Sequence, residues 1–363
     1  MDWLSNRFEL SRSFNANNIQ PMEGLRGFAV FLVFLVHYVT IAGAWVSKES
    51  ESYAIALALQ SVSYSGVDLF FVLSGYLIYG SLISRESTHF FRFIWRRIQR
   101  IYPTFIFVFI LYIILSWVFP SESKVPEAPT AGLIYLAQNF FLLPGLFPIK
   151  PMIDVAWSLS YEMLYYFVIP LIITLFKLRD YAPIWRVTFF IALSIIISVC
   201  TTIMGGSPRI IMFISGILLY EAMGHHRIPT PKSSIGLLAL VVGLLALVPH
   251  AERPESLVVD VYILFVTFFI LCLACFRNPR SWLSCLVAWT PLRWLGNMSY
   301  SYYLLHGLAL KALFLVLSVV IPMTIYGDWF FWVLLPMMFG LTLIPSAVLF
   351  LLVERPFSLA PPR

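Results

Sequence analysis

The sequence predicts an all-α fold, a polytopic membrane bundle of about ten transmembrane helices. Three observations lead there. Hydrophobic residues make up 60% of the 363-residue chain and charged residues only 12%, about half the charge of a soluble domain. Mean hydropathy is +0.86. Apolar runs of the roughly 17–25 residues needed to cross a bilayer recur along the whole length. The 32 Phe, 11 Trp and 18 Tyr often close those runs, where interfacial aromatics are expected.

The polar segment 1–20 lacks the apolar core of a signal peptide. The first span is therefore expected to stay as an uncleaved anchor. Spans are expected near 22–43, 62–83, 102–119, 157–176, 187–204, 209–223, 234–249, 257–276, 298–321 and 329–353, the sixth and seventh being short. The stretch 131–143 is apolar but contains Gln138 and Asn139, and reads as an outer-surface or re-entrant helix. No repeat, low-complexity tract or separate soluble domain stands out, so 1–363 reads as one integral membrane domain.

Basic residues set the orientation, because Lys and Arg accumulate in cytoplasmic loops. With the N-terminus inside, eighteen of the 24 Lys and Arg fall on the cytoplasmic side, among them Arg7, Arg12, Arg85, Arg92 and Arg363. Lys48, Lys124, Lys150, Arg209 and Arg253 fall outside, and Lys311 falls within a span. Both termini are thus expected in the cytoplasm, with the chain in the cell (inner or plasma) membrane. The net charge of +6 then belongs to loops and lipid contacts, and no nucleic-acid partner is expected. Cys200, Cys272, Cys275 and Cys285 have no thiol-rich neighbourhood and read as packing residues. No disulfide and no metal site are expected.

Chemistry is sought among the ionisable residues at membrane depth, which are expensive to bury and mark function by default. Arg26 and His37 are eleven residues apart in the first span. That is almost three helical turns, so they share a face and stand roughly 16 Å apart along the axis. His37, Asp68 in span two and Glu162 in span four all fall about 8–9 Å below the outer surface at 1.5 Å per residue. A carboxylate beside a histidine fixes its tautomer and raises its basicity. Such a group suits proton transfer to or from a reactant, or a proton-transport relay. On the other side, Arg96, Arg97 and Arg100 share a helical face ahead of span three. The cluster is either ordinary cytoplasmic charge or a phosphate site, since guanidinium pairs well with phosphate.

Several motifs occur in order along the chain. They are Leu25-Arg26-Gly27 through His37, Gly66-Val-Asp68 through Gly75, and Arg96-Arg97-Ile-Gln-Arg100-Ile-Tyr-Pro103. Trp157-Ser-Leu-Ser-Tyr-Glu162, Arg209 through Gly216, Leu295 through His306, and Glu354-Arg-Pro356 follow. Together they resemble the acyltransferase 3 family of integral membrane acyltransferases. The resemblance implies transfer of an acyl group, usually acetyl, from cytoplasmic acyl-CoA to a hydroxyl of a lipid-linked, surface or exported saccharide. It assigns His37 as general base or transient acyl carrier, with Glu162 or Asp68 to orient it. Arg26 would position the thioester or balance the buried acids. Arg96, Arg97 and Arg100 would hold CoA phosphates, with Tyr300 and His306 along the donor channel. Arg209 and Trp157 would face the acceptor. The glycines and Ser74 of span two read as close helix contacts, or as room for a pantetheine arm. Two departures stand out. Many relatives carry an extra-cytoplasmic hydrolase-like domain, which is not expected here, and Met163 stands where a second acid is usual. The rival functions are a proton-coupled secondary transporter or flippase of an acid or lipid-linked sugar, and a non-catalytic glycan-binding component. His89, His225, His226 and His250 carry no assigned role. Oligomeric state is not readable.

Overall fold

The computed structural model describes residues 2–10, 19–84, 89–225, 227–248, 257–321 and 328–359. Arg12, Arg85, Arg253, Arg363, His226 and His250 lie outside them. The described chain is a helical bundle. Its elements are α1 (Asp2–Phe8), α2 (Ile19–Ala42), α3 (Glu51–Ser63), α4 (Ser65–Ile83), α5 (Phe90–Val118), α6 (Pro129–Phe140), α7 (Trp157–Leu175) and α8 (Pro183–Met204). They continue as α9 (Met212–Gly224), α10 (Ser233–Leu245), α11 (Leu257–Arg277), α12 (Trp282–Val287), α13 (Thr290–Asn297), α14 (Ser299–Val320) and α15 (Trp329–Leu349). The chain then widens into a π-helical turn, Phe350–Ser358.

Eight helices are long and apolar enough to cross a membrane, against about ten expected. The two that fall short are α9 and α10, each of 13 residues, or about 20 Å of helix against a hydrocarbon core of about 30 Å. The window at 209–223 is apolar because α9 packs against protein, whereas α10 buries only Gly236, Ala239 and Gly243 and leaves most of its large apolar side chains exposed. Almost every residue of α9 is buried. The Ala222 carbonyl in its last turn, and that of His225 just beyond it, accept from the Arg277 guanidinium of α11.

Two other boundaries differ. The second apolar stretch runs from Glu51 to Ile83 with a turn at Tyr64 between α3 and α4, so α3 lengthens the expected span at its N-terminal end. Ser50 starts α3 by accepting the Tyr53 N–H at 3.1 Å. The third begins at Phe90 and draws the arginine cluster into the helix. Its apolar residues at Ile94, Ile98 and Ile101 recur at helical spacing on the packed face, while Arg92 and Arg96 face out. The helix α6 has 12 residues, too short to span, in keeping with a surface or re-entrant element.

Close backbone contacts tie the centre together. A methyl group on Gly75 of α4 would strike the Phe213 carbonyl of α9, and one on Gly216 would strike the Val72 carbonyl of α4. Gly24 and Gly27 of α2 meet Val287 and Leu292 in the same way. Small residues that let backbones approach are the usual means of joining helices in lipid. The bundle holds two apolar clusters, with Phe28 and Phe70 packed against both. Cys272 and Cys275 are buried in the larger one, whereas Cys200 and Cys285 are exposed and do not pack. Lys311, placed within a span by the sequence, pairs with Glu122 at the surface.

Candidate active site

A cavity of about 850 Å³ opens among α2, α4, α5, α7, α14 and the π-helical turn. Arg26, Arg96, Arg97, Arg100, Glu162 and Tyr300 all line it, so six of the residues singled out from sequence converge. His37, Asp68, Arg209, Trp157 and His306 are not on its wall.

The arginines differ in what they have left to offer. Arg96 is exposed. Arg97 is half-buried, with its guanidinium carbon 5.0 Å from the Phe93 ring centre and 5.3 Å from that of Tyr166. It donates to Ser81 Oγ at 3.3 Å, and its Nε is buried without a hydrogen-bond partner among the described residues. A buried guanidinium N–H without an acceptor is poised for an anion. Arg100 is committed to Glu354, at 2.9 Å, and lies 5.9 Å from the Tyr300 ring centre. Glu354 is fully buried and accepts from the Ser301 N–H at 2.9 Å and Ser301 Oγ at 2.7 Å. The closing Glu-Arg-Pro motif thus holds Arg100, and the π-helical turn carries the acid into place. Arg26 donates to Ser299 Oγ at 3.0 Å.

The three groups expected in one plane do not meet. Asp68 is fully buried and ion-paired with Arg209 of the 3-10 turn Pro208–Ile211. Arg209 is 14% exposed, so the side chain expected to face an acceptor is turned inward instead. Glu162 accepts from Tyr166 OH and Ser74 Oγ on the cavity wall. Equal depth in a bilayer leaves the angle around the bundle open, and each acid finds a nearer donor. Trp157 packs edge-on against Phe71 and Tyr161, with ring centres 6.4 and 5.9 Å away.

His37 is half-buried and faces His306, their ring centres 5.0 Å apart with 66° between planes. Among the described residues His37 has no hydrogen-bond partner. The acid whose field reaches it is Asp154, which is exposed and paired with Lys124 just ahead of α7. Tyr303 connects the two halves of the site. It lines the cavity, meets Phe70 edge-to-face at 5.9 Å, and lies 6.3 Å from the His306 ring. Its hydroxyl is held by Ser158 at 2.6 Å and the Val155 carbonyl at 3.1 Å. Tyr166, Ser158 and Asp154 were missed from sequence. Tyr166 stands one helical turn after Glu162, a spacing at which side chains meet. Asp154 had no such signal.

Residues 20–351 match the family described as an acyltransferase domain. The chain belongs to this family. It is 24% identical over 324 residues to the peptidoglycan O-acetyltransferase OatA of Listeria monocytogenes, covering 81% of this chain and 49% of that protein. It is 27% identical over 335 residues to the putative peptidoglycan O-acetyltransferase YrhL of Bacillus subtilis, covering 79% and 48%. It is 24% identical over 330 residues to the O-acetyltransferase OatA of Staphylococcus aureus, covering 82% and 51%. The chain spans about half the length of these curated relatives. No solved structure matches it.

Proposed function

We propose that the chain is a membrane O-acetyltransferase that moves acetyl from cytoplasmic acetyl-CoA to a hydroxyl of a cell-wall saccharide. The observation that carries this reading is the cavity, which runs from the arginine cluster to Tyr303, the neighbour of the His37–His306 pair. A charged phosphate end and a reactive acyl end fit such a chamber, whose volume lies in the range of ligand sites. Family membership supports acyl transfer, and the names of the relatives support an O-linked acetyl group on a saccharide. The acceptor hydroxyl attacks the thioester carbonyl while His37 takes its proton. The C–O bond forms, the C–S bond breaks, and the proton passes to the departing thiolate. Arg26 holds the thioester end, and Arg97 contributes a hydrogen bond to a phosphate oxygen. The decisive experiment is release of free CoA by the purified protein from acetyl-CoA, dependent on a saccharide acceptor. A protein that transports acid or sugar but releases no CoA would overturn the reading.

The donor side makes its own forecast. A hydrogen bond to a charged group contributes about 1.5–3 kcal/mol. Arg97→Lys keeps the charge and loses Nε, so the donor KM is expected to rise roughly ten-fold or more, with kcat little changed. An unchanged donor KM would leave the cluster as membrane-orienting charge. Arg100→Lys instead disturbs the Glu354 pair and is expected to lower protein yield.

Sidedness follows from the same reading. In a background lacking the exposed Cys200 and Cys285, a cysteine at Ser123 is expected to react with an impermeant reagent added outside. A cysteine at Phe91, which is 85% exposed, is expected to stay unlabelled until the membrane is opened. The reverse pattern would put the donor cavity on the wrong side.

A further inference from the structure

His306 is fully buried on α14. Its Nδ1 lies 2.9 Å from the carbonyl oxygens of both Tyr302 and Tyr303. Carbonyl oxygens only accept, so Nδ1 carries a proton and donates to them. In the neutral ring the lone pair then sits on Nε2. That atom is buried and has no hydrogen-bond partner among the described residues. Buried polar atoms are rarely left so, because an unmade hydrogen bond costs about 1–3 kcal/mol. The ring is also held in place. Tyr302 stacks on it with centres 5.3 Å apart and 7° between planes. Tyr303 lies 6.3 Å away, and the imidazole beside the ring is His37, 5.0 Å away between ring centres. An N–H···N contact of ~2.9 Å between two imidazole edges leaves the ring centres about 5 Å apart, so a turn of the half-buried His37 ring completes it.

We infer that His306 Nε2 is a fixed acceptor for the N–H of His37 and so sets the tautomer of His37. The His37 nitrogen facing His306 keeps its proton, and the other presents its lone pair to the acceptor hydroxyl. His306 takes the place of the carboxylate that orients histidine in many proton-transfer sites, and Asp68 and Glu162 are left to their own partners. The inference rests on the reading of His37 as the base. His306 touches neither reactant and is a positioning residue.

Two substitutions separate the two edges of the ring. His306→Asn keeps an N–H near the Nδ1 position, and with it the bond to the Tyr302 carbonyl, but has nothing at Nε2. His306→Gln reaches the Nε2 position with an amide and gives up the backbone anchor. The Asn variant is expected to lose roughly 10²-fold in kcat at unchanged donor KM, and the Gln variant to stay within about ten-fold of wild type. The opposite order would make the backbone anchor the function of the ring and overturn the inference. So would a raised donor KM with unchanged kcat, which is what a wall of the donor channel predicts. His37→Ala, assayed in the same membranes, keeps the two readings apart. If it remains active, the base assignment fails whatever His306 does. If it is inactive while the Asn variant is fully active, only the present inference fails. Nitrogen NMR of the ¹⁵N-histidine protein gives a second measurement that needs no variant to fold. A proton on His306 Nδ1 with a hydrogen-bonded lone pair on Nε2 supports the pair, and a proton on Nε2 overturns it.

Discussion

His37→Ala is expected to lower acyl transfer by roughly 10²–10⁴-fold, the usual cost of losing a general base, with little loss of folded protein. The second half of that statement comes from the structure. Among the described residues His37 makes no hydrogen bond inside the protein, and its ring is only half-buried. Truncating it breaks no hydrogen bond made among the described residues, and Nε2 of His306 is the one neutral acceptor it would leave open. The effect on a buried network such as Arg100–Glu354–Ser301 would be different, because removal of any member leaves a desolvated charge or donor. The measurement is acetyl transfer in membranes carrying equal amounts of protein. Retention of more than half of the wild-type activity would remove His37 from the chemistry. If the lost residue served only to join helices, activity and yield would fall together.

Much of this architecture is legible in the sequence. Composition points to a membrane protein, and apolar runs of this length read as helices because a helix satisfies its own backbone in lipid. About ten are expected, and eight are long and apolar enough to cross. The nearness of Arg26 to the arginine cluster is legible from residue counting, whereas counting puts Glu162 on the outer side with His37 and Asp68 and not on the wall it shares with those arginines. What counting cannot supply is azimuth. His37, Asp68 and Glu162 were given one depth and therefore one site. The fold turns Asp68 toward the Pro208–Ile211 turn and Glu162 toward Tyr166 of its own helix. Length failed for a related reason. A run such as 209–223 is apolar whether lipid or protein surrounds it, and α9 is shielded by α4, α8 and α11. The tautomer of His306 lies beyond any sequence pattern, because it depends on two carbonyl oxygens within the preceding turn of its own helix and on what meets the other edge of the ring.

Arg209→Ala is expected to destabilise the fold by about 3–5 kcal/mol, the cost of stripping one partner from a buried ion pair. Asp68 has no exposure, one of its oxygens has no hydrogen-bond partner among the described residues, and Arg209 is the cation paired with it. The pair joins the first turn of α4 to the turn that precedes α9, beside the Gly75–Phe213 contact of the same two helices. Loss of the cation therefore loosens a closely packed helix pair. Had Arg209 faced an acidic acceptor, the same substitution would raise the acceptor KM and leave thermal stability unchanged. Unfolding followed in detergent, alongside acceptor kinetics, separates the two outcomes. A double change decides the cause. Asp68→Asn with Arg209→Gln removes both charges while keeping hydrogen-bonding groups of similar reach, so most of the lost stability is expected to return. If Arg209→Ala unfolds at the wild-type temperature, or the double variant is no better than the single one, the pair is not what holds α4 against α9. The stability of that junction would then rest on the glycine contacts, the Phe71–Phe213 stack and the Tyr79–Glu221 hydrogen bond.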